Sequence, residues 1–207
     1  MAQASKFWDR MAPGYARRPV SDEASYQRKL EVTRGYLRPD MEVLEIGCGT
    51  GSTALVHAPH VRRIRATDIS PKMIEIARGK AETAGVTNLD FDVAAIDELQ
   101  VADRSLDMVM GHSILHLLAD KDAAIDRVYA MLKPGGVFVT STVCLGDTMK
   151  WFKIVGSIGH FLRLIPLVKV FTVGQLAESF IRAGFEIDHQ WQPGKGKAVF
   201  IVAKKPG

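Results

Sequence analysis

The chain has 207 residues, of which 47% are hydrophobic and 24% charged, and its formal net charge is +4. This length and apolar content suit a single domain, 1–207, with a sizeable core. The middle segment, 41–144, carries 14 acidic against 10 basic side chains, so the excess basic charge lies in the flanks. No basic block with interleaved aromatic residues occurs, and the sequence therefore does not favour a nucleic-acid partner.

The chain contains two cysteines, Cys48 and Cys144. They are too few for a disulfide framework, and free thiols are typical of a reducing compartment, so we expect a cytoplasmic protein. Neither cysteine has a second cysteine or a histidine at ligand spacing, and the sequence predicts no metal site. The first 16 residues lack an apolar h-region. Because no uncharged apolar run approaches about 18 residues, we expect neither a secretory signal nor a membrane-spanning helix.

The predicted elements begin with a helical N-terminal arm, 1–41, which contains a helix over 22–37 and which we expect to pack over the carboxyl edge of the sheet. From residue 42 onward short apolar runs alternate with helical patterns. The predicted helices cover 71–84, with Ser70 as N-cap and proline at the first helical position, and 121–132. The predicted strands are, in chain order, 42–46, 64–67, 89–93, 106–111, 137–143, 185–190 and 198–203.

This alternation of strands and helices predicts an α/β fold with a doubly wound, mostly parallel seven-stranded sheet. The last two strands are joined by only about seven residues, 191–197, which are rich in glycine and proline. Such a connection is too short for a parallel crossover. The last strand should therefore run antiparallel to its neighbours.

A run of alternating glycines follows the first predicted strand, in the order Glu45-x-Gly47-x-Gly49-x-Gly51. Asp68 closes the second strand, and a carboxylate at that place suits a ribose diol, while the glycines let the backbone approach a ligand. A dinucleotide site would want its third glycine where Ser52 stands. Glu45 would repel a pyrophosphate but suits an ammonium group, which disfavours the alternative of a nicotinamide-dependent oxidoreductase.

Three further motifs follow the glycine run, and they read Asp68-Ile69-Ser70-x-x-Met73, Asp103-x-Ser105-Leu106-Asp107-Met108-Val109 and Leu132-Lys133-Pro134-Gly135-Gly136. With these motifs the chain resembles the class I S-adenosylmethionine-dependent methyltransferases, a family with a Rossmann-like fold. It is most similar to the bacterial small-molecule branch that is related to quinone-biosynthesis methyltransferases. The resemblance implies S-adenosylmethionine as cofactor, S-adenosylhomocysteine as product, and methyl transfer to O, C or N of a small acceptor.

The resemblance also implies roles for individual residues in binding the cofactor. The methionine part is expected against Gly47, Cys48 and Gly49, with Glu45 shaping the charge of that loop, and Asp68 is expected to accept hydrogen bonds from the ribose. Six further residues are expected to contact the adenine ring or the methionine end of the cofactor: Ile69, Met73, Ala95, Ile96, Gly111 and His112. Of these, Ile69 and Met73 flank the adenine, the turn at Ala95 edges it, and the last two contact the methionine end.

Several of these roles stay open from the sequence. Many relatives carry an aspartate where this chain has Ala95, so the bond to the adenine amino group is either absent or made by Asp97. His112 is a candidate catalytic base for a phenol or an enol, or a plain pocket wall. Tyr15 either folds over the cofactor or anchors the arm through hydrophobic contacts.

An amphipathic insertion, 145–172, separates the fifth and sixth predicted strands, and we expect it over the active-site edge. Its apolar stripe, 151–165, has three interpretations: a helix that covers the sheet edge, a lid over an apolar acceptor, or an interfacial helix. In the third, the apolar face contacts a membrane surface and a fringe of basic side chains borders that face. The last two favour an apolar or aromatic acceptor. The alternative to a methyltransferase is a catalytically inactive module that binds S-adenosylmethionine as a sensor or partner subunit, and the sequence leaves the oligomeric state open.

Overall fold

The computed structural model describes residues 2–149 and 167–207, and the chain divides into two compact units, Met1–Gln100 and Val101–Gly207. The first unit contains α1 (Ala2–Arg17), α2 (Glu23–Arg34), β1 (Glu42–Ile46), α3 (Ser52–His57), β2 (Arg63–Asp68), α4 (Pro71–Thr83) and β3 (Leu89–Val93). The second unit contains β4 (Leu106–His112), α5 (Lys121–Met131), β5 (Leu132–Thr142), α6 (Val173–Arg182), β6 (Glu186–Trp191) and β7 (Val199–Lys204). Short 3₁₀ turns lie at Ala58–His60, Leu115–Leu117 and Leu145–Asp147.

The sheet of the first unit has the order β3-β2-β1, and both strand pairs are parallel. Ile46 at the end of β1 pairs with Thr67, and Asp68 at the end of β2 pairs with Val93. The three carboxyl ends therefore lie at one edge of this sheet. Four successive residues of β1 are buried, from Val43 to Ile46, as expected of a strand that is covered on both faces.

Helix α4 follows β2 directly, and its start is set by side-chain chemistry. Ser70 accepts a hydrogen bond from the Met73 backbone N–H at 3.1 Å, and Pro71 occupies the first helical position. This arrangement satisfies one of the orphan N–H groups of the first turn. The predicted cap is confirmed, and so is the helix, whose apolar residues Met73, Ile74 and Ala77 are buried.

The sheet of the second unit has the order β4-β5-β7-β6, with β4 and β5 parallel and β7 antiparallel to both of its neighbours. Strand β5 begins at Leu132, five residues before the predicted start at 137. The reason is pairing: the Gly135 N–H donates to the Lys205 carbonyl, and the Lys205 N–H donates to the Gly136 carbonyl. These bonds extend the ladder through Gly135 and Gly136, ahead of the predicted strand.

The predicted fold class is confirmed: the chain has seven strands that alternate with helices, those of the first unit are parallel, and β7 of the second unit is antiparallel to its neighbours. The N-terminal arm contains α1 and α2, of which α1 was not predicted as a separate helix and runs through Pro13. The apolar stripe 151–165 lies outside the described residues, and its three interpretations stay predictions. So does the assignment of 1–207 to a single domain.

Two general findings concern the described part of the chain, 2–149 and 167–207. No helix in it has both the length and the apolar character that a bilayer crossing needs. No group of histidine, cysteine, aspartate or glutamate side chains in it is arranged to hold a metal ion.

Candidate functional site

The loop between β1 and α3 is a tight bend whose backbone depends on glycine. Gly47, Gly49 and Gly51 have φ angles of 64°, 54° and 73°, all in the left-handed region. Residues with a Cβ rarely adopt this conformation, whereas glycine does so without strain. The bend thus presents main chain, rather than side chains, at the carboxyl edge of β1.

The carboxylate of Asp68 lies directly at this bend. The Gly49 N–H donates to Asp68 Oδ2 at 2.9 Å, and the Ser70 N–H donates to Oδ1 at 2.9 Å. A further bond joins the bend to β2, from the Cys48 N–H to the Thr67 carbonyl at 2.9 Å. Each carboxylate oxygen has a second lone pair, so the half-buried Asp68 keeps acceptor capacity for a ligand.

The ionisation of Asp68 is balanced between opposing influences. Burial raises the pKa of its carboxyl, whereas the hydrogen bonds from the backbone of Ser70 and Gly49 lower it. The negative charge of Asp9 raises the pKa further. A ligand that brings hydroxyl donors or positive charge would therefore stabilise the ionised form of Asp68.

The turn after β3 is tied to the same strand end. The Ala94 N–H donates to the Asp68 carbonyl at 3.0 Å, which places the turn containing Ala95 and Ile96 beside Asp68. Ala95 is buried and Ile96 half-buried, whereas Asp97 is exposed. On the α4 side, Ile69 is half-buried and Met73 is only 2% exposed, so Ile69 offers the larger accessible surface.

Glu45 is a carboxylate buried at the end of β1. Its side chain is 2% exposed, and Oε2 finds no hydrogen-bond donor among the described residues. Burial raises its pKa to about 8, a hydrogen bond from the Ala54 backbone N–H opposes the rise, and the charge of Asp68 adds to it. Because an unpaired buried carboxylate is costly, this oxygen suits a ligand cation.

Tyr15 reaches the bend from α1. A Cβ built on Gly49 would lie 3.8 Å from Cε1 of Tyr15, so the ring is in van der Waals contact range of the bend. Burial and the charges of Asp68 and Glu45 raise the pKa of its hydroxyl, which places the ring close to both acids. The side chain is nevertheless 48% exposed.

The remaining two residues that the resemblance implies, Gly111 and His112, lie at the end of β4 in the second unit. They pair with Thr140 and Ser141 of β5, and Gly111 is buried while His112 is half-buried. The next residue, Ser113, has a φ of 56° and donates its N–H to the Ser141 carbonyl at 2.7 Å. The chain therefore turns sharply directly after His112.

Two side chains near the bend were not found by sequence reasoning. Asp9 Oδ1 accepts hydrogen bonds from Ser70 Oγ at 2.6 Å and from the Lys72 backbone N–H at 3.1 Å. Lys80 Nζ donates to Thr50 Oγ1 at 2.9 Å and to Ser52 Oγ at 3.1 Å, which ties α4 to the bend. No signal in the sequence could have indicated these contacts, because the partners lie far apart along the chain.

The second unit also contains an open groove, and three of its charged side chains bind one another. Lys121 Nζ lies 2.7 Å from Asp122 Oδ1 and donates to Ser179 Oγ at 2.7 Å. Arg182 Nη2 lies 2.8 Å from the same carboxylate oxygen. We assign no ligand to this groove.

Gly51→Ala is expected to lower the free energy of unfolding by roughly 1–3 kcal/mol. The added Cβ would lie 2.9 Å from both the Cβ of Ala77 and Cε1 of Phe91, at a φ of +73°. Gly79→Ala is the matched control, since a Cβ there meets nothing within 4 Å in α4. It should raise stability by about 0.5–1 kcal/mol. Urea unfolding measures both, and a Gly51→Ala variant as stable as wild type would contradict the crowding at this position.

Comparison with known proteins identifies the family of the chain. A family model described as a methyltransferase domain matches residues 37–170, which is more than half of the chain. The chain therefore belongs to the class I S-adenosylmethionine-dependent methyltransferases, and S-adenosylmethionine is its cofactor.

The chain is also similar to individual relatives and to solved structures. It is 30% identical to the ubiquinone biosynthesis O-methyltransferase of Azorhizobium caulinodans over 90% of this chain and 78% of that protein. It is 25% identical to the malonyl-[acyl-carrier protein] O-methyltransferase of Serratia marcescens over 67% of this chain, and it spans only 53% of that relative's length. The [4+2]-cyclase SpnF has the same fold, with a TM-score of 0.80 and 18% identity over 98% of this chain and 94% of that one.

Proposed function

We propose that this chain catalyses methyl transfer from S-adenosylmethionine to a small acceptor and that it binds the donor at the carboxyl edge of the first unit's sheet. One observation carries the proposal: Asp68 lies against the glycine bend, with Gly49 N–H and Oδ2 separated by 2.9 Å. A nucleoside that carries an amino acid needs both features next to each other. One is a carboxylate for its ribose and the other is open main chain for its remainder.

The charges at this edge support the fit of the donor. Its ribose hydroxyls match the free acceptor capacity of Asp68, and its ammonium group matches the unpartnered Oε2 of Glu45. Gly47, Cys48 and Gly49 then bring backbone against the amino-acid part. A ligand without a donor group at this end would leave the buried Glu45 oxygen without a partner, and a cationic donor stabilises the ionised carboxylate most.

We assign the base to the surface around Asp68. Ile69 and Met73 flank the adenine on the α4 side, and Ala95 and Ile96 edge it from the turn after β3. Asp97 is exposed, and it is the acid closest in sequence to Ala95, so it is the candidate partner for the adenine amino group. Tyr15 covers the donor, since a purely hydrophobic anchor would not leave 48% of its surface exposed.

The chemistry asks mainly for placement. When bound, S-adenosylmethionine supplies a methyl group that its sulfonium has already activated. Proximity and alignment provide most of the acceleration, so the protein's own residues act by holding the donor and excluding water. A general base is required only for an acceptor that must lose a proton. The role of His112 as that base, or as a pocket wall, stays a prediction.

For the acceptor we propose a small apolar or aromatic molecule. The support is the similarity to a protein named as a ubiquinone biosynthesis O-methyltransferase, over 90% of this chain. The malonyl-[acyl-carrier protein] relative is named for a different acceptor, so the assignment needs a direct comparison of acceptor classes.

A second candidate is a module that binds the donor without turnover. Ala95 favours it, because a methyl side chain offers no acceptor to the adenine amino group. The fold is also compatible with it, since a protein named as a cyclase shares the architecture, and a fold alone does not define an activity.

Product formation separates the two candidates. We expect S-adenosylhomocysteine to accumulate when the protein and S-adenosylmethionine are incubated with phenols that resemble reduced quinones. Less S-adenosylhomocysteine should form with free carboxylates or amines as acceptors. Calorimetry on the same preparation measures donor binding. Binding without product from any acceptor or from a cell extract would support the module, and absence of donor binding would reject both candidates.

A further inference from the structure

A side chain of the N-terminal arm forms part of the start of α4. Asp9 is half-buried in the middle of α1 and lies 61 residues before Ser70 in the chain. Its Oδ1 accepts a hydrogen bond from the Ser70 hydroxyl, with 2.6 Å between the two oxygens. The same oxygen accepts the backbone N–H of Lys72 at 3.1 Å. One carboxylate oxygen of the arm thus receives two donors from the first turn of α4.

These bonds complete the cap of α4. The first N–H groups of a helix have no partner within it, and the positive end of the helix dipole favours an anion there. Ser70 Oγ accepts a hydrogen bond from the Met73 N–H at 3.1 Å, and the same hydroxyl donates a hydrogen bond to Asp9. Asp9 therefore orients the Ser70 hydroxyl with its lone pair toward Met73, and it also binds the Lys72 N–H itself.

The capped turn is joined directly to the donor-binding carboxylate. The Ser70 N–H donates to Asp68 Oδ1 at 2.9 Å, and Asp68 Oδ2 accepts from Gly49 at 2.9 Å. A continuous polar path therefore runs from the arm through α4 to the bend. Helix α1, which carries Asp9, also carries Tyr15, whose ring lies in contact range of Gly49.

We infer that Asp9 is a positioning residue for the donor site: it docks α1 on the start of α4, which fixes Asp68 against the glycine bend and holds Tyr15 over it. This inference rests on the proposed function, because Asp68 matters here as the ribose acceptor. Coupling between two binding events is reciprocal. If the docked arm strengthens donor binding, a bound donor must hold the arm in place by the same factor.

The test compares Asp9→Ala and Asp9→Asn with a control on the capped helix α4, Glu75→Gln. Among the described residues the Glu75 carboxylate pairs with the Lys72 ammonium in an exposed contact, so its substitution alters charge without touching the cap. Calorimetry should show that Asp9→Ala binds S-adenosylhomocysteine about fivefold to tenfold more weakly than wild type. This factor corresponds to the free energy that a helix cap typically contributes. Asp9→Asn keeps an acceptor oxygen and should recover most of this loss, and Glu75→Gln should match wild type.

Two further measurements separate positioning from a merely structural contact. Amide hydrogen exchange across α1 should slow when S-adenosylhomocysteine is added to wild type, and this slowing should be lost in Asp9→Ala. In a protein that already carries Asp68→Ala, the Asp9→Ala substitution should weaken S-adenosylhomocysteine binding clearly less than it does in the wild-type protein. The reason is that Asp9 acts largely through Asp68.

Each contrary outcome overturns the inference. Wild-type affinity in Asp9→Ala, or the same loss in Glu75→Gln, would show that the cap does not serve the donor. An undiminished loss in the Asp68→Ala background would do the same. A wild-type protein that binds no S-adenosylhomocysteine would instead reject the proposed function, on which this inference rests.

Discussion

Asp68→Ala is expected to weaken S-adenosylmethionine binding by about 2–4 kcal/mol, which is roughly 30- to 1,000-fold in Kd. The substitution removes a charged acceptor of two ribose hydroxyls. It also removes the acceptor for the Gly49 and Ser70 backbone N–H groups, each now bound at 2.9 Å, so the Cys48 N–H bond to the Thr67 carbonyl is left to join the bend to β2. Both losses act in the same direction, and isothermal titration calorimetry measures their sum.

A matched control for this substitution is Asp90→Ala on the neighbouring strand β3. Asp90 pairs with Arg63 in an exposed ion pair, and such pairs contribute little to stability. We expect wild-type affinity for the donor in Asp90→Ala. Measuring the free energy of unfolding of both variants ensures that any loss in Asp68→Ala is a loss of binding. An unchanged Kd in a folded Asp68→Ala protein would place the ribose elsewhere.

The second large effect concerns pH, and it follows from Glu45. Its pKa of about 8, caused by burial, keeps the ligand-free side chain protonated at neutral pH. A ligand ammonium favours the ionised carboxylate, so binding must release this proton. Below pH 8 each unit of acidification should therefore weaken binding by up to about tenfold. Above pH 8 the gain ends, because Glu45 is then already ionised in the free protein and the donor's amino group, like other α-amino groups, loses its charge near pH 8.

The titratable groups that face Glu45 come from several elements. They are Asp68 on β2, Tyr15 on α1, Tyr26 on α2 and Cys48 in the bend. Burial raises the pKa of both tyrosines and of the thiol, so these three stay neutral across the pH range in question. Asp68 also has a raised pKa, and it is present unchanged in a Glu45 variant.

Glu45→Gln isolates the effect, because it keeps the shape of the side chain and removes the titration. Calorimetry in two buffers of different ionisation enthalpy counts the protons released on binding. We expect about one proton for wild type near pH 7 and close to none for Glu45→Gln. A pH profile that is equally steep in both proteins would show that another group carries the linkage.

The same shift predicts how the stability of the ligand-free protein depends on pH. The pKa of Glu45 in the folded chain is above its ordinary value of 4.5, so between about 4.5 and about 8 the folded state holds a proton that the unfolded chain has released. The free energy of unfolding should therefore fall as the pH rises through this window. Glu45→Gln should flatten this dependence.

Much of the framework could be predicted from local patterns. The bounds of β1 and β3 agree with the apolar runs at 42–46 and 89–93, and the antiparallel β7 follows from the short connection before it. Asp68 could be located because an acid at the end of a buried strand is a local signal. Its proximity to the bend followed from the parallel order of β1 and β2.

Other features depend on contacts that no local pattern encodes. The start of β5 depends on pairing with Lys205, more than sixty residues later, and the cap on α4 depends on Asp9. Helix α1 was hidden by Pro13, which ordinarily ends a helix. Glu45 was recognised as an acid suited to an ammonium group, but its unpartnered oxygen became visible only from the packing around it.

We propose that the glycine bend and Asp68 bind two ends of one donor molecule. The decisive measurement is a crystal structure of the protein with S-adenosylhomocysteine. We expect both ribose hydroxyls on the carboxylate of Asp68, the ammonium group on Oε2 of Glu45, and the homocysteine backbone against Gly47 and Gly49. A nucleoside bound away from Asp68, or an ammonium group paired with another acid while Glu45 stays protonated, would contradict it.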